Sequence, residues 1–319
     1  MSTDDNKEKK DEIVKAYILA LQKNSSSLVR RGIKDIDVFI ANPQLSVLSR
    51  NIVKNAQLEL FAFTSLPTTK INPIDGAKMV LIPAGEFLMG TNEEERLRLI
   101  KYHTTYQPLP DSFVNKCDWF SHELPQHKVF IDAFYIYETE VTVAQYRKFC
   151  KMTNHKMPQQ PHWRWKNSHP IVNVTWDDAN DYAEWAGVRL PTEAQWEKAA
   201  RGTDSRVFPW GNDWDYDMCN HLGSSETTPV SMFPMGKSSY GVMDMSGNVS
   251  EWCADWYDKD YYKYENANNP KGPEIGISRV TRGGSFRVDF IHDRCASRLY
   301  EDPDCCCYYY GFRCASPVP

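Results

Sequence analysis

Arg189-Leu190-Pro191-Thr192-Glu193-Ala194-Gln195-Trp196-Glu197 is the stretch on which the fold of this chain turns. Thr192 and Gln195 have capping-box spacing, the hydroxyl and the amide satisfying the orphan N–H groups that open a helix, and Gly202 closes it. The same grammar recurs upstream. Thr142 with Gln145 predicts a helix to about Lys151, and Thr175 with Asp178 predicts another that Gly187 stops. Before these helices, Met79 to Phe87 reads as strand, Pro-Gly turn, strand, and Val129 to Tyr137 as a second strand pair.

After Gly202 the long periodic segments end, and Trp, Gly, Pro and Asn dominate turns such as Pro209-Trp210-Gly211-Asn212 and Gly247-Asn248-Val249-Ser250-Glu251-Trp252. Such backbone must satisfy its polar groups through side chains, water or ions. Trp176, Trp185, Trp196, Trp210, Trp252 and Trp256 are expected in the core, because indoles carry large burial energies. Upstream of Asn72-Pro73-Ile74-Asp75-Gly76, Lys7 to Gln22 carries apolar residues at helical spacing and 45–60 is a second helical stretch, both expected to pack as amphipathic helices. The chain thus divides into a helical extension, 1–72, and a main domain, 73–319.

Arg282-Gly283-Gly284-Ser285 and Gly311-Phe312-Arg313-Cys314 bracket a segment with no strand or helix period. From Phe286 to Tyr310 there is no Lys, Gln, Met or Trp, and the sole Glu is Glu301. That vocabulary matches an asparagine codon whose first two bases are freely replaced while the third stays a pyrimidine. Randomisation at the DNA level is one reading and an irregular loop of accidental composition the other.

A chain of 319 residues with 41% hydrophobic content buries a proper core. Its net charge of −5 offers no basic footprint for nucleic acid. No apolar run reaches the roughly 18 residues that span a bilayer, and Met1-Ser2-Thr3-Asp4-Asp5 is no signal-peptide start. Nine cysteines at irregular spacing make no zinc site and are expected reduced. His122-Glu123 with His127 resembles a zinc-peptidase helix only superficially: the spacing is one residue too long, and Pro125 breaks a helix, leaving a surface strand or loop.

Six ordered motifs, Val80-Leu81-Ile82-Pro83-Ala84-Gly85, Glu140-Val141-Thr142, Arg189 to Glu197, Gly247 to Trp252, Arg282 to Ser285 and Gly311-Phe312-Arg313, resemble the formylglycine-generating-enzyme domain, a variant of the C-type lectin fold. The resemblance runs from about Pro73 to the end. It implies an α+β domain with short antiparallel strands, few helices and much irregular structure. Oxidase members of that family bind copper through two cysteines shortly after Gly-Gly-Ser. Here no cysteine lies between Gly284 and Arg294, Val288 standing near the first position, so no catalysis of that kind is expected. The family's secreted enzymes would join Cys295 and Cys314 to positions occupied here by Ala200 and Ala183. The iron-binding sulfoxide-synthase relatives need histidines absent before His103.

The remaining branch is the variable proteins of diversity-generating retroelements, whose randomised codons sit between Arg-Gly-Gly-Ser and Gly-Phe-Arg. Arg294, Ala296, Arg298, Pro303 and Asp304 match their fixed positions, and Glu301 departs from the codon pattern. The resemblance implies a ligand-binding, receptor-like protein whose surface comprises Arg287, Val288, Asp289, Phe290, Ile291, His292, Ser297, Leu299, Tyr300, Asp302, Cys305, Cys306, Cys307, Tyr308 and Tyr309. Gly283, Gly284 and Phe312 would fix the backbone, and Tyr310 would pack inward beside Phe312. Tyrosines supply amphipathic contact area at small entropic cost, and the cysteines read as products of randomisation. The expected partner is a protein ligand, with neither nucleic acid nor membrane insertion, on a monomer displayed at the cell surface or outside the cell; a cytoplasmic location is the alternative. No cofactor is required. A structural calcium on Asn220, Asp244 and the carbonyls near Gly247 and Val249 stands beside a metal-free turn, and Asn248 is read as structural despite its glycosylation sequon. A family enzyme with non-copper chemistry and an accessory module acting through its N-terminal helices are the other classes.

Overall fold

Strands β2 (Lys78–Ile82) and β3 (Gly85–Met89) run antiparallel to β4 (His127–Ile131) and β5 (Phe134–Tyr137) in one unbroken register. Met79 faces Tyr137, Ile82 faces Phe134, Gly85 faces Ile131 and Met89 faces His127. The computed structural model describes residues 66–106, 120–264 and 267–318, so the expected helices at 7–22 and 45–60 lie outside the described residues. Each run holds the two strands that its sequence suggested, but those two strands do not pair with each other. Each run instead pairs with the other, and the ladder breaks where Pro83-Ala84 lies opposite Asp132-Ala133, Pro83 having no N–H to give. The break sends β2 and β5 into one sheet and β3 and β4 into another.

The first sheet has the order β1-β2-β5-β10, with β1 at Thr69–Ile71 and β10 at Ala315–Pro317. A third sheet, β8-β7-β6-β9, is built from β6 (Ser250–Trp256), β7 (Arg279–Arg282), β8 (Leu299–Glu301) and β9 (Tyr310–Gly311). Two compact units divide the chain, 1–68 and 69–319, and β1 belongs to the second because it pairs with β2. The described second unit is α+β with short, mostly antiparallel strands, as expected.

Four α-helices are described. α1 (Glu93–Tyr106) carries Glu93, Glu94 and Glu95 in its first turn, where carboxylates complement the helix dipole. α2 (Val143–Thr153), α3 (Trp176–Trp185) and α4 (Glu193–Arg201) each begin with a complete capping box, on Thr142, Thr175 and Thr192. In α4 the Thr192 amide donates to Gln195 Oε1 at 3.1 Å and the Gln195 amide to Thr192 Oγ1 at 3.2 Å. Asn154, at φ 61°, ends α2 a little beyond the expected Lys151. α4 departs from an ordinary surface helix because every one of its residues is buried.

Burying a charged helix requires partners. Arg201 donates to Glu197 Oε1 at 3.0 Å and to the Gly90 carbonyl. Lys198 sits at the break in the β-ribbon, its ammonium donating to the carbonyls of Pro83 (2.7 Å), Gly85 (2.8 Å) and Ile131 (3.2 Å). Among the expected core tryptophans, Trp196 and Trp252 are fully buried. Trp176, Trp185, Trp210 and Trp256 are half-buried, and Trp176 and Trp256 sandwich the Arg279 guanidinium at 3.7 and 3.5 Å. No helix among the described residues is long and apolar enough to cross a membrane.

Candidate functional site

The segment between β7 and β10 is held by arginines that the sequence displays as if they were surface groups. Arg282, Arg294, Arg298 and Arg313 are all buried, and each meets a buried glutamate from another part of the chain. Arg294 clasps Glu123 through two bonds of 2.9 and 2.6 Å, and Arg298 clasps Glu193 through two of 2.8 and 2.9 Å. Arg313 gives Nε and Nη2 to Glu251, both at 2.6 Å, and reaches the carbonyls of Met243 and Asp244. Arg282 bonds Glu197 and the carbonyls of Cys295, Ala296 and Ser297. Burial opposes ionisation of Glu193, yet the Arg298 and Arg282 guanidiniums hold its carboxyl below the usual range. Forked guanidinium pairs fix direction as well as position, so the backbone of the segment is anchored along its length.

Two glycines complete the frame. Gly283 has φ +91°, and a Cβ there would come within 3.0 Å of the Trp196 ring. Gly284 has φ +66°, and a Cβ would lie 2.0 Å from Asp293 Oδ1. Positive φ and close approach together demand glycine. Asp293 is itself fully buried; neither carboxyl oxygen has a well-formed hydrogen bond, the Ser285 amide giving only weak electrostatic relief. Burial therefore pushes its carboxyl well above the usual range.

From this frame Arg287, Tyr300, Asp302 and Cys306 are exposed, while Val288, Asp289, Phe290, His292, Leu299, Cys305, Cys307, Tyr308 and Tyr309 are half-buried. Two expected surface residues are not on the surface. Ile291 is 2% exposed and packs with Leu99 and Phe120. Ser297 is also 2% exposed, lying between the anchored residues Ala296 and Arg298. Tyr310 packs inward against Trp252 and donates its hydroxyl to Glu301 Oε2 at 2.9 Å, a scaffold role for the glutamate that departs from the codon pattern.

The outward aromatics rest on residues from other loops. Tyr300 stacks on Tyr257 with ring centres 4.1 Å apart, Phe290 lies 5.3 Å from Trp214, and Tyr308 sits edge-on to Trp163 at 5.9 Å and to His162 at 6.0 Å. Arg287 lies over the Tyr308 ring at 5.9 Å, joining the two halves of the segment. Tyr257 in turn bonds His122 Nδ1 at 2.6 Å. Trp163, Trp214 and Tyr257 escaped the sequence reading because nothing in their local pattern marks a neighbour so distant in the chain. Glu123 did too. Its sequence context suggests a surface strand or loop, but it closes the 3₁₀ turn Ser121–Glu123 and is 1% exposed, whereas His127 opens β4.

Two of the four calcium candidates, Asn220 and Asp244, are hydrogen-bonded within the polypeptide. The Asn220 carbonyl accepts the Asn248 amide at 2.7 Å, its side-chain amide donates to Glu226 O and Asn248 Oδ1, and Asp244 Oδ2 accepts the Ser231 amide at 2.7 Å. Burial pushes the Asp244 carboxyl up, toward the neutral form. The Glu140 carboxyl adjoins it, accepting from Asn248 Nδ2 at 3.0 Å and pushed up by burial and by the Asp244 charge, so two carboxyls share this region with Gly247 and Val249. No group of three or more His, Cys, Asp or Glu among the described residues could hold a metal ion. Asn248 is 1% exposed and accepts the Thr228 amide at 3.0 Å, which is a structural role. Cys295 shares a core cluster with Ala200, and Cys314 shares another with Ala183, so buried alanines stand where the resemblance implied disulfide partners.

Residues 64–318 match the sulfatase-modifying factor enzyme 1-like domain, and the chain belongs to that family. It is similar to the serine/threonine-protein kinase pkn1 of Chlamydia caviae, with 34% identity over 263 residues covering 76% of this chain and 38% of that one. The chain thus spans well under half the length of that relative. It is 31% identical to the formylglycine-generating enzyme of Bos taurus, covering 76% of each, and 30% identical to the inactive C-alpha-formylglycine-generating enzyme 2 of Mus musculus, covering 79% of this chain and 90% of that one. Among solved structures, PvdO from Pseudomonas aeruginosa superposes with TM-score 0.64 at 26% identity, covering 79% of this chain and 98% of that one. The Treponema denticola variable protein 1 superposes with TM-score 0.60 at 21% identity, covering 79% of this chain and all of that one, and shares the fold.

Proposed function

We propose that this chain is a ligand-binding protein displaying a diversified surface, the variable protein of a diversity-generating retroelement, and that it performs no catalysis. The observation that carries the reading is a coincidence of two independent patterns. The codon-restricted vocabulary of 286–310 supplies the outward-facing residues Arg287, Tyr300, Asp302 and Cys306, while three of the five fixed positions, Arg294, Ala296 and Arg298, are buried and bonded, Pro303 being half-buried and Asp304 exposed. A surface free to vary needs a backbone that does not depend on it, and the buried Arg–Glu pairs provide one. Exposed and half-exposed aromatics next to charged groups are the chemistry of protein recognition. The copper chemistry of the family's oxidases calls for two cysteines shortly after Gly-Gly-Ser, and the stretch from Gly284 to Arg294 holds none.

Sequencing the same locus in a second isolate tests this. Scattered changes confined to 286–310, with a reverse transcriptase and a near-copy of the segment in the adjacent DNA, are expected. An unchanged segment with changes elsewhere overturns it.

A further inference from the structure

Three consecutive cysteines, Cys305-Cys306-Cys307, lie in the loop between β8 and β9, and their sulfurs are not equivalent. Cys306 is exposed, whereas Cys305 and Cys307 are half-buried with their sulfurs 3.2 Å apart. A disulfide bond is about 2.05 Å long, so the two sulfurs are already closer than ordinary contact and short of a bond. The backbone around them is pinned. The Cys305 amide donates to Asp302 O at 2.9 Å, and the Cys307 carbonyl accepts the amides of Asn173 (3.2 Å) and Tyr310 (3.0 Å). Closing the gap therefore asks for side-chain rotation rather than loop movement.

We propose that Cys305 and Cys307 form a reversible dithiol–disulfide pair on the variable surface, closed by exchange with a small-molecule disulfide such as oxidised glutathione. Cys307 is taken as the attacking sulfur, as it neighbours both the Cys305 sulfur, at 3.2 Å, and the Tyr309 hydroxyl. Burial, followed by the hydrogen bond to Cys307, pushes the Cys305 thiol up to about 12, and the same two causes push the Tyr309 hydroxyl up to about 12. The Cys307 thiolate attacks one sulfur of the small disulfide and releases one thiolate. Cys305 then attacks the Cys307 sulfur of the mixed disulfide, its proton passes to solvent, and the second small thiolate leaves. Two protein thiols are oxidised to one disulfide while the small disulfide is reduced to two thiols. The buried Cys150, Cys219, Cys253, Cys295 and Cys314 cannot compete, since an attacking sulfur must meet its partner in solvent.

Closure removes the Cys307 thiol that neighbours the Tyr309 hydroxyl, so the oxidised and reduced proteins present different surfaces beside Tyr308. Any effect on ligand affinity rests on the binding reading given above; the thiol chemistry does not. The test uses the full chain incubated with oxidised glutathione, alkylated, and mapped by peptide mass spectrometry. The expected result is the loss of two alkylatable thiols with no retained glutathione, a bond mapped between Cys305 and Cys307, and full recovery with dithiothreitol. Cys306→Ser should behave as the parent, and Cys305→Ser should instead retain glutathione on Cys307. A stable adduct on Cys306 or Cys307 in the parent, a bond to Cys306, or no reaction overturns the proposal. Because no ligand enters the measurement, its failure leaves the binding reading untouched.

Discussion

Arg298 illustrates how a charged residue becomes scaffold. Its guanidinium forks onto Glu193, donates to the His122 carbonyl at 2.8 Å and lies 4.0 Å over the Tyr262 ring, with no solvent to share the charge. Removing one member of a buried pair leaves the other charged and unmet. Arg298→Met is expected to lower unfolding free energy by about 3–5 kcal/mol, read from urea denaturation. Asp293 poses the opposite case, a buried carboxyl with no cation to meet it and only the Ser285 amide to relieve it. Below its ordinary value of 3.8 both folded and unfolded chains hold the proton; above it the unfolded chain ionises first, so the folded state loses stability as pH rises until Asp293 itself ionises. Asp293→Asn should match the parent near pH 4 and exceed it at neutral pH by on the order of 1–3 kcal/mol. Equal pH slopes in the two proteins, measured by thermal melts, would show that Asp293 is charged in the fold.

At the scale of elements, α4 joins the ribbon to the site. Its Lys198 caps the broken ladder, while Glu193 and Glu197 anchor Arg298 and Arg282 beneath the loops of 286–310. Burial pushes the Lys198 ammonium down to about 7 from 10.5. Between those two pH values the unfolded chain keeps the proton and the folded chain has released it, so stability rises with pH across that window. Against Lys198→Met, which leaves three carbonyls unmet and is less stable throughout, the advantage of the parent should widen from pH 7 to 10. A constant gap in melting temperature would contradict this. The capping boxes of α2, α3 and α4 were readable because their partners lie three residues apart. The two-sheet ribbon was not, because pairing between 79–89 and 127–137 is a long-range choice that local alternation leaves open.

Across the whole molecule, scaffold and surface separate by burial. Simultaneous replacement of the exposed residues Arg287, Tyr300, Asp302 and Cys306 by other members of the restricted vocabulary should leave the fold intact, each change costing within about 0.5 kcal/mol. Tyr300 is the exception, since its stack on Tyr257 adds about 0.5–1.5 kcal/mol. A collapse of cooperative melting in such a set would mean that the surface is part of the core. With Asp244 bonded to the Ser231 amide, dialysis against a calcium chelator should leave the melting temperature unchanged, and a drop of several degrees would restore the metal reading.

The sequence by itself determined the family, the three capped helices, the place of the composition-restricted segment 286–310 and the lack of a cysteine between Gly284 and Arg294, because each is written in neighbouring residues or ordered motifs. Tertiary structure alone decided that Ile291 and Ser297 turn inward, that four arginines serve as buried struts, and that Trp163, Trp214 and Tyr257 underlie the outward aromatics. A side chain's burial depends on what the rest of the chain brings to it, and Glu123 reaches Arg294 only once the whole domain has closed.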